Sequence, residues 1–511
     1  MASPSEKLAK SLGELKKLQG DKSIAVIKAD DLSRTHKERL GKNGFIREVI
    51  KGWYIARNPE EKEGDTSSWY ASFWKFAALY SDSRFGKEWC LSPEQSLSIH
   101  SGNLTVPPQL LIRSPKASNN RIDLIHGTSA FDSRVDIPSS TERIEFEGVQ
   151  VYSLISGLIA VGADFYTRHS TDARTSLAMV KDASGILANL LDGGKSVVAG
   201  RLAGAFRNIG KNKIANEIIS AMKSAGYDVR ETDPFNDIIA TTLNARESSP
   251  YVIRIKIMWS QMRQTVIDSF PHSNAPVSSI EEYLKQVEDN YTDDAYHSLS
   301  IEGYRVSPEL IEQVRSGNWD PDSKWQDQEQ KNAMAARGYY LAFQVVKDSI
   351  ISILDGKNSG LVVDNDHGAW YRELFAPSVT AGIIKASDLA GYRNGPVFIK
   401  GSSHTPANHE AARDAMPALF DLLKEETEAS VRIVLGHFIF VYIHPYFDGN
   451  GRIARFLMNA MMASGGYLWT IIPVEKRDAY MASLEKASVS MDISDFAKFI
   501  ASLIKEMENK K

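Results

Sequence analysis

Residues 444–455, His444-Pro445-Tyr446-Phe447-Asp448-Gly449-Asn450-Gly451-Arg452-Ile453-Ala454-Arg455, carry the densest set of reactive side chains in the chain. Gly449-Asn450-Gly451 can adopt positive φ and turn backbone N–H groups inward, which makes a nest for an anion. Where such a nest opens a helix, the orphan N–H groups and the macrodipole favour phosphate. Arg452 and Arg455 stand three apart, on one face of a first helical turn. Their guanidinium forks suit phosphate oxygens. Asp448 is a hard oxygen ligand beside the nest, of the kind Mg²⁺ needs when it rides on a polyphosphate. His444, with an ordinary pKa of about 6.5, can take a proton at neutral pH. A base, a metal ligand, a phosphate cradle and two cationic clamps together describe a nucleotide-transfer site.

Two helices must hold this loop. Val431, Val434, Leu435, Phe438, Val441 and Tyr442 follow an i, i+3, i+4, i+7 stripe, and the pre-proline residue His444 should end that helix. Ile453, Phe456, Leu457, Ala460 and Met461 begin a second stripe. Upstream, Gly391-Tyr392-Arg393-Asn394-Gly395-Pro396-Val397-Phe398-Ile399 reads as a hairpin, because Asn394-Gly395 is a favoured two-residue turn. Further upstream, Ser298-Leu299-Ser300-Ile301-Glu302-Gly303 places Ser298 and Glu302 on one helix face, with Gly303 as its terminator.

The twelve-residue string resembles the signature of the Fic-domain family, HPFx[D/E]GNGRxxR, at every fixed position but one. Tyr446 stands where Phe is usual, a mild change for a ring expected to pack under the loop. The resemblance implies AMP transfer from ATP to a Ser, Thr or Tyr hydroxyl of a target protein. In that scheme His444 is the base. Asp448 holds Mg²⁺, Gly449, Asn450 and Gly451 form the nest, and Arg452 and Arg455 hold the β- and γ-phosphates. The full motif favours AMP transfer over the phosphorylation carried out by the Doc branch. The 391–399 segment is similar to the family's flap, whose edge, here Val397, Phe398 and Ile399, docks the target by strand addition. Arg477 through Ser488 resembles the helix beside the adenine pocket, with Tyr480, Met481 and Leu484 offered to the base. Ser298, Glu302 and Gly303 fit the family's inhibitory pattern [S/T]xxxE[G/N], which implies that Glu302 pairs with Arg455 and competes with the γ-phosphate.

The N-terminal half has different signals. Asp30 to Ser33 can cap a helix running to about Leu40, followed by strands over 45–50 and 53–55 around Lys51-Gly52. Six cations, Arg34, Lys37, Arg39, Lys42, Arg47 and Lys51, give this winged-helix-like region a footprint for DNA phosphates. Residues 58–68 read as a polar linker or long loop. The stretch from about 20 to 230 resembles AbiEi-type antitoxins in Ile50-Lys51-Gly52-Trp53-Tyr54-Ile55, in Leu97-Ser98-Ile99-His100-Ser101-Gly102 and in Arg201-Leu202-Ala203-Gly204.

The expected architecture is multi-domain. It comprises a winged helix over 1–60, an antitoxin-like α+β region over 69–230 and a mainly α-helical Fic fold with a β-hairpin flap over 236–511. The length of 511 residues agrees with about three domains. A single cysteine, Cys90, excludes an internal disulfide framework. With 60 basic and 64 acidic residues the chain is no polycation, so nucleic-acid binding must be local. No apolar leader and no membrane-spanning run is found, and a cytoplasmic enzyme is expected, for which the family resemblance implies that a homodimer can form. Two rivals to AMP transfer stand: a DNA-binding toxin–antitoxin-type regulator with a silenced or merely nucleotide-sensing Fic part, and a Fic enzyme using UTP or GTP or removing AMP.

Overall fold

The computed structural model describes residues 3–19, 25–61, 65–237, 249–271, 279–318 and 327–508. Residues 62–64 of the expected linker lie outside the described residues. The chain divides into two compact units, Met1–Pro250 with Phe398–Thr405, and Tyr251–Val397 with Pro406–Lys511.

The first unit opens with α1 (Pro4–Gln19), β1 (Val26–Lys28), α2 (Arg34–Lys42), β2 (Ile46–Ile50) and β3 (Trp53–Ala56). Ser33 caps α2 by accepting from the His36 N–H, as short hydroxyl side chains do at helix starts. Gly52, at φ 84°, makes the turn between β2 and β3, and the sheet order is β1-β3-β2. The aromatic helix α3 (Ser67–Phe85) follows, burying Trp69, Phe73 and Phe76. Then come β4 (Cys90–Leu91), α4 (Pro93–His100), β5 (Gln109–Ser114), β6 (Arg121–Asp123) and β7 (Ser129–Arg134), a mixed sheet ordered β4-β5-β7-β6. A hairpin follows, β8 (Arg143–Phe146) pairing antiparallel with β9 (Val149–Tyr152) around Glu147-Gly148.

Six helices complete this unit: α5 (Leu154–Ala160), α6 (Asp164–Arg168), α7 (Ser170–Met179), α8 (Ser184–Leu191), α9 (Ser196–Asn208) and α10 (Asn212–Ser224). On α9, residues 230–233 lie directly on the backbone. A Cβ at Gly204 would stand 2.2 Å from the Thr232 carbonyl oxygen, so only glycine admits the approach.

The second unit is helical: α11 (Pro250–Ser269), α12 (Ile280–Asp289), α13 (Tyr291–Ile301), α14 (Pro308–Arg315), α15 (Asp327–Leu354), α16 (Ser359–Thr380), α17 (His409–Glu425), α18 (Ala429–Ile443), α19 (Asn450–Ser464), α20 (Arg477–Ser490) and α21 (Ser494–Glu508). The expected stripe on α18 understates its burial. Ile433, His437, Ile439 and Phe440 are buried as well, so the helix is apolar nearly all round and runs through the core. It ends at His444, as the following proline requires.

The expected flap hairpin is absent: residues 391–399 contain no strand. The carbonyls that a partner strand would use are already taken. Arg413 donates to the carbonyls of Tyr392 and Arg393, and the Arg393 guanidinium donates to that of Gly395. Pro396 has no N–H to give.

Candidate active site

The loop joining α18 to α19 is built by its own side chains. Asn450 Oδ1 accepts from the Tyr446 N–H at 2.9 Å, and its Nδ2 donates back to the Tyr446 carbonyl at 2.8 Å. Asn450 is 2% exposed, so both backbone groups are satisfied away from water. The Tyr446 ring stacks on Tyr371 of α16 at 3.9 Å between centroids. A tyrosine in place of phenylalanine therefore still serves as the ring beneath the loop. Gly449 has φ 80° at the start of α19, and a Cβ there would stand 2.8 Å from the Phe375 ring. Its N–H is held by Asp448 Oδ1 at 2.6 Å.

Asp448 is largely exposed and also faces Arg452 Nη2 at 3.3 Å. The buried Arg452 guanidinium lies against the rings of Tyr304 and Phe375, 5.2 and 5.0 Å from their centroids. Among the described residues no group of three or more His, Cys, Asp or Glu could hold a metal ion. Asp448 alone suits a magnesium ion whose other ligands are phosphate oxygens and water.

His444 closes α18 in the left-handed region, φ 54° and ψ 60°. Its Nδ1 lies 3.2 Å from the Val441 carbonyl. A carbonyl can only accept, so Nδ1 carries the proton and Nε2 keeps the lone pair. Burial pushes the ring pKa down to about 4, so the imidazole is neutral at pH 7.

Arg455, only 4% exposed, does not point into open space. Its Nη2 donates to Glu302 Oε1 at 2.7 Å and to the Ser298 carbonyl at 3.0 Å, and its Nε donates to Ser298 Oγ at 2.8 Å. Residues 298 and 302 reach the motif across 157 and 153 positions of sequence. Glu302 caps α13 and Gly303 follows at φ 87°. Gly451 makes room for the carboxylate, since a Cβ there would stand 2.4 Å from Glu302 Oε1.

Behind Ser298 lies Asp294, one turn earlier on the same face. It is 4% exposed and accepts from the Tyr339 hydroxyl at 2.6 Å. Burial raises its carboxyl pKa to about 6. Two contacts fasten the outer side of α13: the Val474 N–H donates to His297 Nδ1 at 3.1 Å, and Arg477 Nε donates to the Ile301 carbonyl at 2.8 Å. Asp294 was legible as i−4 from Ser298, whereas nothing in the sequence pairs it with Tyr339.

The remaining candidates fall elsewhere. Tyr480 is 1% exposed, and its hydroxyl bonds His437 Nε2 at 2.8 Å and lies against Arg455. Met481 and Leu484 are half-buried. Val397 belongs to the second unit, Phe398 and Ile399 to the first. Of the six N-terminal cations, Arg34, Lys42 and Lys51 are exposed, and Arg34 pairs with Glu38 at 2.7 Å. The other three turn onto protein atoms. Lys37 donates to the Ala29 carbonyl, Arg39 to the Lys7 carbonyl and Ser11 Oγ, and Arg47 meets His126 Nε2.

The start of α19, with Gly449 at φ 80°, thus stands beside a neutral imidazole and two buried guanidinium groups. Residues 368–462 match the model of the Fic/DOC family, and this part of the chain is a Fic domain. It is homologous to proteins named protein adenylyltransferase Fic. The chain is 25% identical to protein adenylyltransferase fic-1 of Caenorhabditis elegans over 56% of its own length and 52% of the relative's. It is 28% identical to protein adenylyltransferase Fic of Nematostella vectensis over 42% of its own length and 48% of the relative's. The chain thus spans about half the length of the curated relatives it matches. A solved structure of C. elegans Fic-1 (aa134–508) aligns with 67% of this chain and 95% of that one, at 16% identity and TM-score 0.38. No described helix is long and apolar enough to cross a membrane.

Proposed function

We propose that the chain is an autoinhibited protein adenylyltransferase that moves AMP from ATP to a Ser, Thr or Tyr hydroxyl of a target protein. The observation that carries the reading is the buried contact of Arg455 with Glu302 and Ser298, one turn along α19 from the Asn450-Gly451 nest. The homologous proteins named adenylyltransferases support the reaction type.

In the working state the triphosphate lies over the N–H groups at the start of α19, where helix dipole and nest favour it. Arg452 and Arg455 clamp its outer phosphates. His444 Nε2 takes the proton of the acceptor hydroxyl. The freed oxygen then attacks the α-phosphorus, an O–P bond forms, and the bond to the bridging oxygen breaks with pyrophosphate as leaving group. Asp448 would hold a magnesium ion, which would supply charge neutralisation when bound. Glu302 opposes this state by keeping Arg455 for itself. The partner is the acceptor protein.

The DNA-binding alternative rests on six cations of which four, Arg34, Lys37, Arg39 and Arg47, already meet protein acceptors, and it is not adopted. Full-length wild type, Glu302→Gly and Glu302→Gly/His444→Ala are incubated with α-labelled ATP and Mg²⁺. Protein-bound label in the single variant and none in the double variant is expected. No label in the single variant, or equal label in the double variant, overturns the reading.

A further inference from the structure

Arg393 is 1% exposed and meets no carboxylate among the described residues; its donors end on main-chain carbonyls instead. Nε donates to His444 O at 2.8 Å, Nη1 to Gly395 O at 3.0 Å, and Nη2 to Ala407 O. Its own main-chain N–H donates to Pro445 O at 2.9 Å. Burial, and then the neighbouring Arg413, push its pKa down to about 10. A buried cation without a counter-ion is costly, and a neutral side chain would fill the space more cheaply. The fork must therefore serve something that a neutral group cannot.

It serves the backbone of the candidate base. His444 sits at φ 54°, where a residue with a Cβ is strained, and Pro445 offers no N–H to fix the turn. Arg393 secures this dipeptide twice, by side chain to carbonyl 444 and by main chain to carbonyl 445. Arg413 holds Arg393 in turn, its Nη1 donating to Arg393 O at 2.9 Å and its Nη2 to Tyr392 O at 3.2 Å. The Tyr392 hydroxyl meets His367 Nε2 of α16 at 2.8 Å, anchoring the segment at its other end.

We infer that Arg393 is a positioning residue for His444, its guanidinium fixing the left-handed turn that aims the imidazole and linking that turn to the 394–395 segment. The inference rests on the reading of His444 as the base. Because the fork spans three diverging carbonyls, a lysine cannot reproduce it.

The test uses the full chain in the Glu302→Gly background. Arg393→Lys should fold, with kcat down about 100-fold from misplacement of the base and the KM for ATP within about twofold. Arg393→Ala should regain turnover on addition of millimolar methylguanidinium, a rescue that a general packing defect would not show. The His444 imidazole resonance, assigned with His444→Ala, should shift in Arg393→Lys. A Lys variant with unchanged kcat and an unmoved His444 signal overturns the inference. If the parent transfers nothing, the reaction assignment fails. The positioning claim is then judged by the resonance alone, a shift upholding it and its absence refuting it.

Discussion

Removing the Glu302 carboxylate should release the transfer reaction by an amount the contact itself sets. The carboxylate meets Arg455 Nη2 at 2.7 Å, with the arginine side chain 4% and the glutamate side chain 25% exposed. A hydrogen bond between charged partners contributes about 1.5–3 kcal/mol. At about 1.4 kcal/mol per factor of ten, the fraction of molecules with Arg455 open to the γ-phosphate should rise about 10- to 150-fold in Glu302→Gly. Glu302→Gln keeps an acceptor oxygen but loses the charge, so its gain should be smaller. Ser298→Ala removes the acceptor at Nε and leaves the carboxylate, so its gain should be smaller still. Initial rates of label transfer, measured at saturating acceptor and compared at matched ATP occupancy, give the order Gly, Gln, Ala, wild type. Equal rates within twofold for wild type and Glu302→Gly, with ATP binding intact in both, would refute competition for Arg455 as the brake.

Other expectations follow from the same geometry. Asn450→Ala leaves the Tyr446 N–H and carbonyl unpaired and buried, at about 1–3 kcal/mol each; a denaturant melt showing a loss under about 0.5 kcal/mol contradicts that account of the loop. Gly449→Ala forces a Cβ to 2.8 Å from Phe375 at φ 80°; it should lower the melting temperature and weaken ATP binding in calorimetry, and an unchanged protein argues against the tight turn. With the His444 pKa lowered from 6.5 to about 4, the neutral base persists on acidification, so transfer by Glu302→Gly should fall only as pH drops toward 4. A pH–rate midpoint near 6.5 instead would contradict the buried imidazole. Asp294 has the opposite sign: its pKa is raised from 3.8 to about 6, so its stabilising contribution is present below pH 3.8 and lost as pH rises through 6. The melting temperature of Asp294→Asn relative to wild type should therefore climb between pH 4 and pH 7, and a flat difference rules this out.

Local rules made much of this architecture legible. The helix pair around the motif follows from apolar spacing and Pro445, the turn at Lys51-Gly52 from glycine, and the start of α2 from Ser33. The pairing of Glu302 with Arg455 was also within reach, because Ser298 and Glu302 share a face and the family pattern names their partner. What escaped depends on contacts between distant segments. No periodicity tells that Arg39 folds back onto Ser11, that Arg47 meets His126, or that Tyr339 reaches Asp294. The missing hairpin has the same origin: Asn394-Gly395 is a sound local turn signal, but Arg393 and Arg413 compete for the carbonyls it would need. The one-sided stripe assigned to α18 counted only part of its apolar residues: Ile433, Ile439 and Phe440 lie off the stripe and are buried as well.

The mutual grip between the Asn450 amide and the Tyr446 peptide has a consequence for nucleotide recognition. The loop holds its shape by bonds internal to the protein, so on the proposed reading a triphosphate would meet a finished mould and need order little of it. On that reading, occupancy of the mould and competence for transfer would vary separately: nucleotide would rest there while the Arg455 guanidinium stays committed to Glu302 and Ser298. Such a molecule would idle fully loaded, and its output would follow the event that frees one arginine rather than the supply of ATP.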